Sequence, residues 1–316
     1  MEDVEGARVR DHRSVMSDVT PLLDAAVRTA TPLLIAAVGE TVAERAGVIN
    51  IGLEGCIVAG AYAAFAVGAV TPFAGYAAAV GAGISVGILL AVFSVAMRRD
   101  QIIVGTALTM LALGLTGTLF RARGDATVLV AGMQPVTRLP GLSDIPVIGP
   151  AFFAQPAITY VAFALVPALW WFLQRTHAGL SLRAVGDAPD AARAAGVRVS
   201  AVQACAVVFG AALGGLAGGA LVLAQAGTFA EGMSAGRGFL AIAIVALGRW
   251  RPAGVALASF VFGAAMALQF VVQALGWRVR YELVLMIPYV LTLAALGFSG
   301  KGTAPAMLGR TTAADP

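Results

Sequence analysis

The sequence predicts an all-α protein that folds as a polytopic bundle of membrane helices. Of its 316 residues, 59% are hydrophobic and only 12% are charged, whereas a soluble domain carries about 25% charged residues. Several uncharged runs are long enough to cross a bilayer, which takes about 20 apolar residues. The 38 glycines are typical of the same class, because small residues let membrane helices approach closely.

Candidate spans follow from the length of each apolar run. The run Gly55–Met97 is long enough for two helices, and Thr71–Pro72 is its natural break. The short run Phe239–Leu247 is either a half-helix or part of a broken span. The other candidate spans are Leu22–Val38, Ile102–Phe120, Gln155–Leu173, Ser200–Leu223, Val255–Gln273 and Leu283–Phe298. We therefore expect roughly 8–10 transmembrane helices.

The sequence divides into one transmembrane domain and two tails. Residues 1–20 are charged and lack the apolar region of a signal peptide, so we expect a mobile N-terminal tail. The transmembrane domain covers residues 21–300, and residues 301–316 form a small, polar C-terminal tail.

Arginine residues indicate the orientation in the membrane. Arg98–Arg99, the run Arg175–Arg198 and the pair at 249 and 251 lie at helix ends, which the positive-inside rule places in the cytoplasm. Residues 121–156 then form the longest external segment. Helix parity places the N-terminus outside, but three arginines in the N-terminal tail favour the inside, so its orientation stays open. The net charge of +4 has the same origin, and the pattern does not indicate nucleic-acid binding.

Few residues are available for catalysis or metal binding. Cys56 and Cys205 lie in apolar stretches, where cysteine acts as a small buried hydrophobic residue. The two histidines form neither an HExxH motif nor a Cys/His cluster. Gly300–Lys301 lacks the remainder of a nucleotide-binding P-loop. We expect no metal or cofactor on this chain, and no ATPase site of its own.

A polar island, Arg183–Val199, separates two long uncharged segments. Pro189 suits the first turn of a helix and Gly196 suits the end of one, so a short cytoplasmic helix is expected within the loop 178–199. A structured, positively charged element between spans indicates a docking surface for a separate motor subunit. The candidate docking residues are Arg183, Gly186, Asp187, Pro189, Ala191, Ala192, Arg193 and Gly196.

Two glycine-rich polar segments, Gly39–Gly55 and Glu231–Gly254, interrupt the apolar pattern in opposite halves of the chain. Asn50 suits a helix N-cap, and Glu54 then lies in the first helical turn. Each segment is either a broken helix beside a translocation path or an ordinary turn, and the pair is either an internal repeat or a coincidence. The candidate path residues are Glu40, Asn50, Gly52, Glu54, Gln101, Gly236 and Phe239.

Glycines spaced four residues apart predict close helix crossings within the bundle. The pairs are Gly83/Gly87, Gly210/Gly214, Gly214/Gly218 and Gly215/Gly219.

Three motifs carry a resemblance to a known family. They are GETVAERAGVINIGLEG (39–55), LRAVGDAPDAARAAGVRV (182–199) and AGRGFLAIAIVALGRWRPAGVALASFVFGA (235–264). Together they resemble the permease subunits of ABC importers for simple sugars and nucleosides, the branched-chain-type permeases, and above all the shorter permease of bacterial guanosine and purine-nucleoside uptake systems. Ala188 and Cys56 stand where that family often has Asn and Met.

The resemblance implies a type II-like importer architecture in the bacterial plasma (inner) membrane. It implies four partners besides membrane lipid: a second homologous permease, an ABC ATP-binding subunit that uses ATP and Mg²⁺, an extracellular substrate-binding lipoprotein and the small-molecule substrate. The loop 182–199 is similar to the element that docks on the ATPase. Nucleosides, and purine nucleosides in particular, are the implied substrate, with a ribose-like simple sugar as the alternative.

Two other function classes are weaker. An ion-coupled secondary carrier needs acidic groups inside the membrane, and Gly55–Met97, Ile102–Phe120 and Ser200–Ala230 contain none. A membrane enzyme needs clustered catalytic groups, but Glu40 and Glu44 share a helix face without a histidine or cysteine partner.

Overall fold

The computed structural model describes residues 2–68, 70–124, 133–274, 286–288, 290–294 and 304–309. Eleven α-helices and two short strands are present in this part of the chain. The first half contains α1 (Glu2–Arg45), α2 (Leu53–Val67), α3 (Pro72–Leu90, continued by a π-helix, Ala91–Ala96), α4 (Gln101–Arg123), β1 (Val136–Arg138), α5 (Ile148–Phe153) and β2 (Ala154–Pro156). The second half contains α6 (Ala157–Arg175), α7 (His177–Asp187), α8 (Pro189–Ala194), α9 (Val199–Ala220, continued by a π-helix, Leu221–Ala226), α10 (Arg237–Leu247) and α11 (Pro252–Ala274).

The predicted fold class is confirmed. Six described helices are long and apolar enough to cross a membrane, and α2 and α10 are two shorter apolar helices. Half of the predicted span Leu283–Phe298 is described, as residues 286–288 and 290–294, and these residues are helical; the other half lies outside the described residues. Helix α1 includes residues 2–20, the segment expected to form a tail, and the mobility of that segment stays a prediction.

Local signals explain several helix ends. The Thr71 hydroxyl accepts a hydrogen bond from the Ala74 N–H, and Pro72 occupies the first turn of α3, so the expected break between α2 and α3 is confirmed. Asp100 Oδ1 accepts from the N–H groups of Ile102 and Ile103 at the start of α4. Both pairs satisfy backbone donors that a helix leaves free at its N-terminus.

Helices α1 and α9 form the centre of the bundle. In their most apolar windows, 72% and 78% of residues are buried, against 28–39% for α3, α4, α6 and α11. The outer helices carry large exposed hydrophobic side chains, such as Met110, which is 73% exposed. Such surfaces are stable in lipid, so the outer helices face the bilayer.

Close glycine contacts hold the central helices together. A Cβ atom at Gly218 would lie 2.0 Å from the Ile57 carbonyl oxygen, and one at Gly215 would lie 2.2 Å from the Ala79 carbonyl oxygen. Gly83, Gly87, Gly210, Gly214 and Gly219 contact neighbouring helices in the same way. The predicted role of these glycines in helix packing is confirmed.

The segment 121–156, which the sequence predicts to be external, contains an antiparallel pair of short strands. β1 and β2 pair with Val136 opposite Pro156 and Arg138 opposite Ala154, and α5 lies between them in sequence. The sequence does not predict these strands, because three-residue strands leave almost no periodic pattern.

Candidate functional site

The two glycine-rich polar segments meet at Glu54, in the first turn of α2. Glu54 is only 5% exposed. Its Oε1 atom accepts hydrogen bonds from Ser234 Oγ (2.5 Å) and the Gly236 N–H (2.8 Å), and Oε2 accepts one from the Gly238 N–H (2.6 Å). A carboxylate is well placed there, because the N–H groups at a helix N-terminus attract negative charge. The hydrogen bonds of Glu54 therefore join the start of α2 to the start of α10.

The end of α1 holds the opposite end of α10. Trp250 is buried, and its indole N–H donates to Glu44 Oε2 at 2.5 Å. Arg45 donates to the Trp250 carbonyl oxygen from Nε (3.1 Å) and Nη2 (2.9 Å). Arg249 and Trp250 both have positive φ, 55° and 53°, a conformation that non-glycine residues adopt only when their surroundings impose it. The α10–α11 turn is therefore fixed by α1.

Buried, irregular backbone joins α1 to α2. The Asn50 N–H donates to Glu40 Oε1 and the Ile49 N–H to Gln101 Oε1, each at 2.9 Å. Residues 46–52 are buried or half-buried, which excludes an ordinary exposed loop and fits a broken helix inside the protein. The predicted N-cap is wrong: Gly52 occupies that position without a side-chain bond. The side-chain amide of Asn50 has no hydrogen-bond partner among the described residues.

The candidate path residues therefore divide into two groups. Six of them are buried or half-buried in the framework around α10: Glu40, Asn50, Gly52, Glu54, Gln101 and Gly236. Phe239, on α10, is 48% exposed. A contact with passing substrate stays a prediction, and Phe239 is the residue whose side chain is accessible for it.

The polar island, Arg183–Val199, contains the end of α7, all of α8 and the first residue of α9. Pro189 lies in the first turn of α8, as predicted, and Gly196 has φ of +82° just beyond its end. The side chains of Asp187 and Ala191 are exposed. Arg193 donates to Asp190 at 2.8 Å. These positions leave an exposed, polar surface of small residues.

Two of the predicted docking residues point inward. Ala192 packs with Val185 and Val199 in a small apolar cluster, because α8 must bury one face against α7 and α9. Gly186 is buried, and a Cβ there would lie 2.1 Å from the Arg45 carbonyl oxygen. These two residues therefore join the island to the bundle and are not exposed for docking.

The C-terminal tail contacts the same junction. The Met307 N–H donates to the Gly186 carbonyl oxygen at 3.0 Å. A Cβ at Gly47 would lie 3.0 Å from Met307 Cβ, and Leu308 packs on the main apolar core. Residues 304–309 thus lie across the end of α7 and the α1–α2 connection.

An aromatic cluster was missed by sequence analysis. Phe229 lies with its ring centroid 5.4 Å from that of Tyr62 and 5.1 Å from that of Phe120, in edge-to-face geometry, and it is 6.1 Å from Phe65. Arg121 Nη1 donates to both Glu231 oxygens beside them, at 2.9 and 2.7 Å. These residues come from three separate segments, so no sequence spacing reveals them. They hold the ends of α2 and α4 against the segment before α10.

Comparison with known proteins gives one consistent family. The model of the branched-chain amino acid transport system / permease component family matches residues 22–296. TsgC13 of Haloferax volcanii, provisionally named a glucose ABC transporter permease protein, is 37% identical over 83% of this chain and 80% of its own. The guanosine ABC transporter permease protein NupQ of Bacillus subtilis is 35% identical, and the nucleoside ABC transporter permease protein NupC of Lactococcus lactis is 33% identical. Both alignments cover 87% of this chain and 91% of the relative.

Proposed function

This chain belongs to the branched-chain amino acid transport system / permease component family, and from this premise we propose that it forms the path for nucleosides in an ATP-driven importer. It is a multi-pass permease of the plasma membrane, with six described helices of spanning length. Its family is that of ABC permeases, which work with an ATP-binding subunit and a substrate-binding protein.

The similarity to NupQ and NupC is the observation that carries the substrate assignment. Both relatives are named for guanosine or nucleoside transport, and both align over nearly their whole length. The three motifs that carry the resemblance lie in the α1–α2 connection, the α7–α8 island and the α10 region. The first motif contacts each of the other two, through Arg45 with Gly186 and through Glu44 and Arg45 with Trp250. A simple sugar is the second candidate, favoured by the 37% identity to TsgC13.

The complete importer contains further parts in this proposal. A second homologous permease lines the other side of the path. ATP and Mg²⁺ bind the separate ATPase, and this chain contributes neither a cofactor nor an ATPase site. An extracellular lipoprotein delivers the substrate to the external side of the bundle.

The contacts around α10 suggest how ATPase motion reaches the path. The ATPase binds the exposed face of α7 and α8, and the buried Gly186 passes any shift of α7 to the end of α1. Arg45 and Glu44 on α1 hold the α10–α11 turn through Trp250. A movement of the island thereby displaces the end of α10 near Trp250, while Glu54 holds the start of α10, where Phe239 lies. The helix then tilts about the position of Phe239.

Uptake by the assembled importer tests this proposal. The permease pair, ATPase and binding protein are co-expressed, reconstituted in vesicles and supplied with labelled guanosine, adenosine, glucose or ribose. We expect ATP-dependent uptake of the nucleosides, competed by unlabelled guanosine and not by glucose. ATP-dependent uptake of glucose alone would establish the sugar alternative. Uptake without ATP that collapses with a protonophore would instead establish a secondary carrier.

Gly196→Glu is expected to uncouple ATP hydrolysis from uptake without blocking membrane insertion. The new side chain places charge and bulk on the exposed end of α8, beside the docking surface. We expect uptake to fall at least tenfold, which corresponds to about 1.4 kcal/mol of lost coupling, while the ATPase keeps hydrolysing ATP. Both rates are measured in the same vesicles.

Two further variants separate docking from backbone strain. Gly196→Ala has the same backbone strain as Gly196→Glu, because both place a side chain at a φ of +82°. It adds neither charge nor a large side chain, so it should keep most of the uptake. Ala191→Glu adds charge at an exposed helical position without that strain, so it should resemble Gly196→Glu. Normal uptake in both glutamate variants would contradict the docking assignment.

A further inference from the structure

An apolar groove of about 820 Å³ lies between α1, α6, α7 and α9. Its volume falls within the range of about 300–1,000 Å³ that proteins use to hold organic ligands. The groove runs from Leu165 and Phe209, in the middle of α6 and α9, to Ala178 and Arg198 beside the polar island. We call it the α6–α9 groove.

The lining of the groove is apolar except at one end. Among its lining residues Arg198 is the only charged one, and Ser181 is the only hydroxyl. Arg198 precedes α9 and is exposed. It forms no ion pair with any residue that the structure describes. A membrane-embedded apolar groove with a cation at its cytoplasmic end is complementary to a lipid, whose chain is apolar and whose headgroup phosphate is negative.

We propose that the α6–α9 groove binds an anionic phospholipid of the cytoplasmic leaflet, with an acyl chain along α6 and α9 and the phosphate at Arg198. A soluble partner cannot reach Leu165 or Phe209 at the centre of two membrane spans, whereas lipid chains surround them. The lining of the groove includes Val197 and Arg198 of the polar island, so the bound lipid contacts the element that we propose docks the ATPase. Lipid binding itself follows from the membrane location and does not depend on the nucleoside assignment.

Lipid retention tests the site. The importer is reconstituted in vesicles of equal phosphatidylglycerol and phosphatidylcholine and extracted in mild detergent, and the retained lipids are measured by mass spectrometry. We expect the wild type to retain phosphatidylglycerol in preference to phosphatidylcholine. Arg198→Gln should lower phosphatidylglycerol retention about fivefold, the effect of one cation near the membrane surface. Ala201→Trp, which fills the groove from an exposed position of α9, should remove retention of both lipids.

Matched controls lie on α11. Arg251, directly before that helix, and Ala253, in its first turn, are exposed and lie outside the groove. Arg251→Gln and Ala253→Trp should therefore leave retention unchanged. Equal losses in the control variants, or no headgroup preference in the wild type, would overturn the proposal. If Ala201→Trp does not fold, the proposal is tested by the headgroup preference of the wild type and by the phosphatidylglycerol retention of Arg198→Gln.

Cys205 tests the alternative occupant, a helix of another subunit. The sequence predicted a buried thiol, but Cys205 is exposed and lines the groove, while Cys56 is buried. A maleimide that carries a photoreactive benzophenone therefore labels Cys205 rather than Cys56 of this chain, and illumination joins it to whatever fills the groove, with no need for a second thiol. The lipid proposal expects no crosslinked protein at Cys205. A crosslink to the second permease would overturn it.

Discussion

Glu54→Ala is expected to cost about 3–5 kcal/mol of folding stability and to remove nearly all uptake. The buried Glu54 carboxylate accepts three hydrogen bonds, two of them from backbone N–H groups at the start of α10. A buried hydrogen-bond donor that loses its acceptor costs about 1–3 kcal/mol, and this variant removes the acceptor of three donors. That loss is a large fraction of the roughly 5–15 kcal/mol that stabilises a typical folded protein. Thermal unfolding in detergent and uptake in vesicles measure the two effects.

Glu231→Ala is the matched control. Glu231 also precedes α10 and pairs with Arg121, but the two side chains are 44% and 64% exposed. Exposed ion pairs contribute about 0–1 kcal/mol, so this variant should unfold within a few degrees of the wild type. Glu54→Gln should fall between the two, since its amide keeps one acceptor and turns a second donor toward Gly238. Equal losses of stability for Glu54→Ala and Glu231→Ala would show that the hydrogen bonds of Glu54 do not hold α10 in place.

The sequence predicts most helices well because their signals are local. Each span follows from an apolar run of the length that a bilayer requires. The break at Thr71–Pro72 and the start of α8 at Pro189 depend on residues that act on their own backbone. These predictions need no knowledge of what packs against the helix.

The predictions that were wrong or missing depend on distant partners. Asn50 is a residue type that suits an N-cap, but Glu40 of α1 holds its backbone N–H, and Gly52 is the N-cap of α2 instead. Ala192 is small and lies in a polar stretch, yet it faces inward because Val185 and Val199 flank it in space. Glu54 lies in the first turn of α2, and the helix that it binds is α10. None of these partners is encoded in the spacing of nearby residues.

The buried framework also limits what substrate contacts can be inferred from motifs. The first and third motifs contain most of the candidate path residues, but several of their polar groups bond to each other across α1, α2 and α10. Glu40 Oε2 and the Asn50 side-chain amide have no hydrogen-bond partner among the described residues. Polar groups inside a membrane protein are often functional; here their described contacts fix the position of α10. Residues of such a motif can therefore position the helices around a translocation path without contacting the substrate.

Gly218→Ala is expected to cost about 3 kcal/mol, at the upper end of the range for overpacked cores. A Cβ atom there would lie 2.0 Å from the Ile57 carbonyl oxygen and 2.6 Å from the Ala61 nitrogen. Both are backbone atoms of α2, so no side chain can rotate away and the two helices must separate. The separation would also shift Glu54 at the start of α2. Thermal unfolding in detergent measures the loss.

Gly114→Ala separates this effect from the general effect of removing a glycine. Gly114 lies in the middle of α4, and a Cβ there would meet nothing within 4 Å. Alanine is favoured over glycine in a helix by about 1 kcal/mol, so this variant should be neutral or more stable. Similar losses at both positions would contradict a close α2–α9 crossing.

Gly60→Ala tests the same crossing from α2, since its Cβ would lie 2.3 Å from the Gly215 carbonyl oxygen. Because one separation of the helices relieves both clashes, the double variant should lose less than the sum of the single losses.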